Sequence, residues 1–130
     1  MSPLFTPTTA GALALPNRIA MAPLTRARAG RAHVPNALMA EYYAQRASAG
    51  LLIAEATMVS SEASAFTGEP GIFDEACVTG WKAVTDAVHA KGGRIVLQLW
   101  HPGRAAHSLL DGGRQPVSST DRAIQGDTIH

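Results

Sequence analysis

Three short apolar runs alternate with two stretches of helical spacing along this chain, and nearly all of its unusual polar sequence falls after an apolar run. The first run, Ile19-Ala20-Met21-Ala22, lies within Asn17 to Leu24, is closed by Pro23 and predicts a buried strand. Ahead of it, Leu4-Phe5 and Leu13-Ala14-Leu15 flank a turn containing proline and glycine, which predicts a short N-terminal hairpin or cap. After an Arg-, Ala- and Gly-rich loop from Arg26 to Val34, Pro35-Asn36 opens a helix running to Ala49. Leu38, Tyr42 and Ala49 mark its inner stripe, and Gly50 is its C′ residue. Leu51-Leu52-Ile53-Ala54 follows at once, a continuous run of the kind found in strands covered on both faces. Met58 to Pro70 is polar and contains glycine, so it predicts a long surface loop. Asp74 is placed to cap a second helix in which Val78, Trp81, Val84 and Val88 recur at helical spacing, until Lys91-Gly92-Gly93 stops it. Arg94 to Trp100 is the third strand. From Leu109 onward periodicity ceases, which predicts a loop to the end of the sequence.

Two successive strand–helix–strand units with short returns imply right-handed crossovers, a parallel sheet and helices outside it. In such folds ligands bind at the C-terminal ends of the strands. Pro23-Leu24-Thr25-Arg26, Glu55-Ala56-Thr57 and Gln98-Leu99-Trp100-His101 all fall there. Alternation puts Val96, Gln98 and Trp100 on one face of the third strand and Ile95, Leu97 and Leu99 on the other. The Gln98 amide can donate and accept at once, which matches the N–H and C=O groups along the edge of a pyrimidine-like ring.

Composition narrows the class. With 130 residues, 46% of them hydrophobic and 16% charged, the chain has the make-up of one globular domain able to build a core. A net charge of +1, with both signs interspersed, leaves no footprint for nucleic acid or an anionic membrane, and a small-molecule partner is expected. Met1 to Thr9 lacks a signal-peptide pattern and no apolar run approaches a membrane span, so a cytoplasmic protein is expected. Cys77 stands alone, which excludes an internal disulfide framework and a cysteine metal cluster. The sequence contains no internal repeat, no G-x-G-x-x-G and no P-loop signature.

Each candidate residue has a plainer reading beside the functional one. Thr25 offers a hydroxyl to a ligand carbonyl, or is a loop hydroxyl satisfied by backbone. Ala56 is small enough to let a backbone N–H approach a ring. Trp100 walls a pocket or packs. His101 and His107 stand six apart with proline and glycine between them, a spacing that matches no common metal-ligand pattern. His89 is a dipole partner near a helix C-terminus. Glu55 is a base at a strand end, or a structural ion pair with Arg26, Arg28 or Arg104. Tyr42 and Tyr43 read as packing residues.

Several of these segments, taken in order, resemble one family. Leu4-Phe5-Thr6-Pro7, Leu15-Pro16-Asn17-Arg18, Met21-Ala22-Pro23-Leu24-Thr25-Arg26, Glu41-Tyr42-Tyr43-Ala44-Gln45-Arg46-Ala47, Glu55-Ala56-Thr57, Pro70-Gly71-Ile72, Trp81-Lys82, His89-Ala90-Lys91-Gly92-Gly93 and Gln98-Leu99-Trp100-His101-Pro102-Gly103-Arg104 are similar to the N-terminal third of the Old Yellow Enzyme family of FMN-dependent ene-reductases. The resemblance implies an α/β fold, the N-terminal part of a (β/α)8 barrel with about three strands of eight and an N-terminal hairpin cap. It implies FMN, held by Pro23, Thr25, Ala56 and Gln98, with the Thr25 hydroxyl near the flavin C4 carbonyl, where it tunes the redox potential. It implies a substrate pocket shaped by Trp100, and by Phe66 where several relatives carry a tyrosine.

The family's reaction passes hydride from NADH or NADPH through the flavin to an activated alkene. A His/Asn or His/His pair holds the substrate oxygen and a tyrosine supplies the proton. None of these falls within the chain, and all are expected beyond His130, as is the phosphate site. Residues 1–130 are therefore expected to be a partial barrel domain, incomplete at its C-terminus. The alternative is a catalytically silent module that contributes half a flavin pocket by docking to a partner chain. A third reading is another flavoprotein barrel of similar start, a 2,4-dienoyl reductase or a trimethylamine-dehydrogenase-like enzyme.

Overall fold

The computed structural model describes residues 2–126, so the last four residues of the loop expected after Leu109 lie outside them. Thr8–Ala10 (β1) and Leu13–Leu15 (β2) pair antiparallel as the N-terminal hairpin. Gly11 takes a φ of +57° at its turn, a conformation that costs glycine little. Leu4 and Phe5 stand ahead of the hairpin in a single 3-10 turn, Pro3–Phe5.

Ala20–Met21 (β3), Leu51–Met58 (β4) and Ile95–Trp100 (β5) form a parallel sheet in the order β3-β4-β5. Ala37–Ala44 (α1) and Glu75–His89 (α2) are the crossovers. The core lies between sheet and helices: Leu52 and Ala54 of β4 meet Met39, Tyr43, Trp81, Val84 and Val88, with Ile95 and Leu97 of β5 packed beside them.

Several sequence expectations shift. The first run is not buried: only Ala20 and Met21 enter the ladder, Ile19 is 39% exposed and Ala22 is exposed, because among the described residues β3 has a single strand neighbour. The second run does not stop at Ala54. It pairs with β5 as far as Met58 opposite Trp100, so Glu55, Ala56 and Thr57 lie inside β4 rather than after it. In α1 the buried residues are Met39, Tyr43 and Ala44, continued by Ala47, and Leu38 points outward at 57% exposure. A segment apolar on most sides gives periodicity no unique phase. In α2 Cys77 takes the place expected for Val78, which is 44% exposed, and Trp81, Val84 and Val88 are buried as the spacing predicts.

Both helices start on side-chain caps. Asn36 Oδ1 accepts from the Leu38 and Met39 amides at 3.1 and 3.3 Å. Asp74 accepts from the Cys77 amide at 2.8 Å, and that bond holds its carboxyl below the usual range. The Asp74 cap is therefore strongest above the carboxylate range and fades as pH falls through it.

Gly50 does not serve as a left-handed C′ residue. α1 ends at Ala44, residues 45–49 follow in tight turns, and the Gly50 backbone lies against Asn17, where an added Cβ would stand 2.2 Å from the Asn17 carbonyl oxygen. Asn17 Oδ1 accepts from the Gly50 and Ile19 amides at 2.8 and 3.1 Å, and its Nδ2 donates to the Ser48 carbonyl at 2.9 Å. One side chain thus joins the approaches to β3 and β4. Gly50→Ala should destabilise the fold by about 1–3 kcal/mol in urea denaturation, because two backbone segments must separate.

Candidate functional site

Because Ile95 and Leu97 pack on the core, Val96, Gln98 and Trp100 turn to the opposite face of the sheet. Their partners on β4 are Ile53, Ala56 and Met58. Strict alternation along β4 would have sent Ala56 to the core side with Leu52 and Ala54. It does not, because the register slips between Ala54 and Ala56 and leaves Glu55 as an extra residue, a β-bulge.

Glu55 is 1% exposed and its carboxylate faces α1. Oε1 accepts from the Tyr43 hydroxyl at 3.1 Å, and Oε2 accepts from the backbone amides of Arg26 and Ala27 at 2.8 and 3.2 Å. The Tyr43 oxygen accepts in turn from the Glu55 amide at 2.9 Å. Burial, with the neighbouring carboxylate, pushes the Tyr43 phenol well above its ordinary pKa. The expected ion pair with Arg26, Arg28 or Arg104 is absent: Arg26 contributes its amide, and the Arg28 guanidinium donates to the Arg26 carbonyl at 2.8 Å. Nor is Glu55 placed as a base at a strand end, since its carboxylate is turned to the helix side. Tyr43 is more than a packing residue, and a tyrosine and a glutamate twelve apart in sequence give no periodic signal of that bond.

The same bonds anchor the segment that follows β3. Pro23 and Thr25 lie outside any helix or strand, each half-buried, immediately before the two amides that Glu55 holds. Among the described residues neither the Thr25 hydroxyl nor the Gln98 amide makes a hydrogen bond, and Gln98 is exposed beside the nearly buried Ala56. Among the described residues no backbone group satisfies the Thr25 hydroxyl, contrary to its plainer reading. Trp100 stacks on Phe66, with ring centroids 5.8 Å apart and planes 25° from parallel.

Residues 59–70 are not a surface loop. Ala63, Ser64, Ala65 and Gly68 to Pro70 are buried because the segment folds round the Glu69 carboxylate, which accepts from the Ser64 hydroxyl and the Ala65 amide at 2.8 and 2.9 Å. Burial raises the Glu69 pKa against the lowering effect of those bonds. His101 and His107 each accept a backbone amide two residues on, at 3.1 and 3.2 Å. Among the described residues no group of three His, Cys, Asp or Glu is placed to hold a metal, and no helix is long and apolar enough to cross a membrane.

Residues 3–130 match the NADH:flavin oxidoreductase / NADH oxidase family, the FMN-dependent Old Yellow Enzyme group. The chain belongs to that family. It is 51% identical to the chanoclavine-I aldehyde reductase of Penicillium roqueforti over 98% of its own length and 36% of that protein. It is 47% identical to 12-oxophytodienoate reductase 7 of Oryza sativa, over 95% and 32%. Among solved structures, morphinone reductase superposes with a TM-score of 0.90 at 53% identity, covering 95% of this chain and 33% of that one. An old yellow enzyme homologue from Zymomonas mobilis gives 0.88 at 47% identity, over 99% and 38%. The chain spans about a third of the length of these relatives. Its three parallel strands and two crossovers are accordingly the N-terminal part of an Old Yellow Enzyme (β/α)8 barrel, and the face carrying Ala56 and Gln98 is turned to the barrel's interior.

Tyr43→Phe should lower stability by about 1–3 kcal/mol in urea denaturation, because it leaves Glu55 Oε1 and the Glu55 amide without their buried partner. Cys77 gives a second check. Burial and then Asp74 push its thiol up to about 11, so alkylation at pH 8 should run at least about tenfold slower in the native protein than in urea.

Proposed function

We propose that residues 1–130 form the N-terminal part of an FMN-binding barrel domain in a cytoplasmic enzyme that uses NADH or NADPH to reduce activated C=C bonds of enones or nitroalkenes. The observation that carries this reading is the Gln98 side-chain amide, exposed and without a hydrogen-bond partner among the described residues, on the inner face beside the small Ala56. An amide able to donate and accept matches the alternating N–H and C=O edge of the flavin pyrimidine, and alanine leaves the β4 backbone open to a ring. Pro23, Thr25, Ala56 and Gln98 would hold the flavin, and Trp100 and Phe66 would wall the substrate space.

When bound, FMN supplies the two-electron chemistry that the side chains lack. This chain's share is recognition. Gln98 would read one edge of the ring, the Thr25 hydroxyl, without a partner among the described residues, would favour the electron-rich reduced state by donating to a ring carbonyl, and Trp100 with Phe66 would keep one side of the pocket aromatic and dry. The phosphate anchor, the electrophilic His pair and the tyrosine proton donor would come from outside these 130 residues.

A second reading has its own observation. Among the described residues β3 and β5 each have one unpaired edge, so the segment also suits a silent module that folds by docking to a complementary chain. Sedimentation separates the two: a compact 13.6 kDa monomer on its own argues against any need for a partner.

In the full natural polypeptide, NADPH-driven loss of 2-cyclohexenone under anaerobic conditions is expected, and its absence with saturating FMN and either nicotinamide donor opposes the enzyme reading. Gln98→Ala should weaken FMN by about tenfold in fluorescence titration, the worth of one or two ring-edge hydrogen bonds. Thr25→Ala should lower the flavin midpoint potential in redox titration while leaving FMN bound.

A further inference from the structure

Phe66 sits in a loop that two buried carboxylates hold from either side. Glu69, fully buried, accepts from the Ser64 hydroxyl and the Ala65 amide. Asp111, in the loop that follows β5, is 4% exposed and accepts from the Ser64 amide at 2.8 Å. The His107 amide donates to the Ser64 carbonyl at 3.2 Å, and the Ser64 hydroxyl also lies 3.3 Å from the Phe66 carbonyl. Every polar group of Ser64 is therefore committed, and the bonds link the loop after β4 to the loop after β5. Opposite Phe66, the buried Trp100 indole N–H has no hydrogen-bond partner among the described residues, so packing against Phe66 orients that indole.

We propose that Ser64, clasped by Glu69 from its own loop and by Asp111 from the next, is a positioning device that holds the Phe66 ring on Trp100 and so sets which alkenes the pocket admits. The last clause rests on the ene-reductase reading above; the clasp itself does not. Two carboxylates in a loop interior are costly to bury, and among the described residues only one oxygen of each, Glu69 Oε1 and Asp111 Oδ1, has donors while Glu69 Oε2 and Asp111 Oδ2 have none. The few donors present, Ser64 and the Ala65 amide next to Phe66, are therefore the bonds on which the clasp depends. A structural role alone would alter stability. A positioning role moves the Trp100 ring environment and substrate preference together.

The test uses the full natural polypeptide with FMN, labelled with 5-fluorotryptophan, the Trp100 signal being assigned by Trp100→Phe. Asp111→Ala and Ser64→Ala should move the Trp100 fluorine signal towards its position in Phe66→Leu while the Trp81 signal stays, and Asp111→Asn, which keeps the Oδ1 acceptor, should leave both in place. The ratio of kcat/KM for a 3-substituted cyclohexenone over 2-cyclohexenone should change by about threefold or more in the same direction in Asp111→Ala and Phe66→Leu. A native Trp100 signal in Asp111→Ala overturns the clasp, as does movement of both tryptophan signals together or an unchanged ratio. Should Asp111→Ala fail to fold, Ser64→Ala reads the same question. If the parent reduces no alkene, the enzyme reading fails while the fluorine signals still decide the clasp.

Discussion

The Glu55 carboxylate, buried between β4 and α1, draws three hydrogen-bond donors round itself from two other parts of the chain. A carboxylate removed from water is tolerable only when its oxygens are satisfied, and losing one buried partner costs about 1–3 kcal/mol. Meeting that demand brings the Tyr43 hydroxyl down onto β4 and draws the Arg26 and Ala27 amides in from the segment after β3. The bulge that accommodates Glu55 also reverses the facing of everything after it. Leu52 and Ala54 look to the helices, Ala56 and Met58 look inward, and they meet Gln98 and Trp100 on β5. The inner-face constellation is thus a consequence of how an outer-face charge is accommodated.

This coupling explains why so little of the site's geometry comes from the site's own residues. The side chains of Gln98 and Thr25 make no hydrogen bonds among the described residues, and are presented by frameworks anchored elsewhere. Asn17 fixes the start of β3 against Gly50, Glu55 fixes its continuation, and Trp81 donates to the Gly71 carbonyl at 3.0 Å to seat the end of the β4 loop on α2. A side chain free of intramolecular partners among the described residues, as Gln98 is on β5, suits recognition of a planar ligand. The two sheet edges left unpaired among the described residues, and the open inner face, are what three strands of a barrel present when seen alone.

Much of this was legible in the sequence where local chemistry decides. Asp74 and Asn36 announced their helices, the strand order followed from the βαβ pattern, and the alternation in Ile95–Trp100 placed Gln98 and Trp100 together. The errors share a cause: tertiary contacts that sequence spacing does not encode. The bulge at Glu55 lengthened β4 and reassigned a presumed ion pair to backbone amides. An α1 that is apolar on most sides hid its phase, so Met39 and Tyr43 rather than Leu38 face the core. Gly50 looked like a helix terminator and is instead a point of backbone contact. Residues 59–70 looked solvated because their polar groups bond to one another, through Ser64, Glu69 and Asp111, which no pairwise spacing reveals.

The central claim is that Glu55, although turned away from the inner face, sets the geometry on which flavin recognition depends. FMN titration of Glu55→Gln in the full natural polypeptide tests it most directly, because the substitution keeps size and removes one acceptor oxygen. The account predicts FMN affinity reduced by about tenfold or more, with the far-ultraviolet circular dichroism of the parent retained. A folded Glu55→Gln protein that binds FMN as tightly as the parent would contradict it.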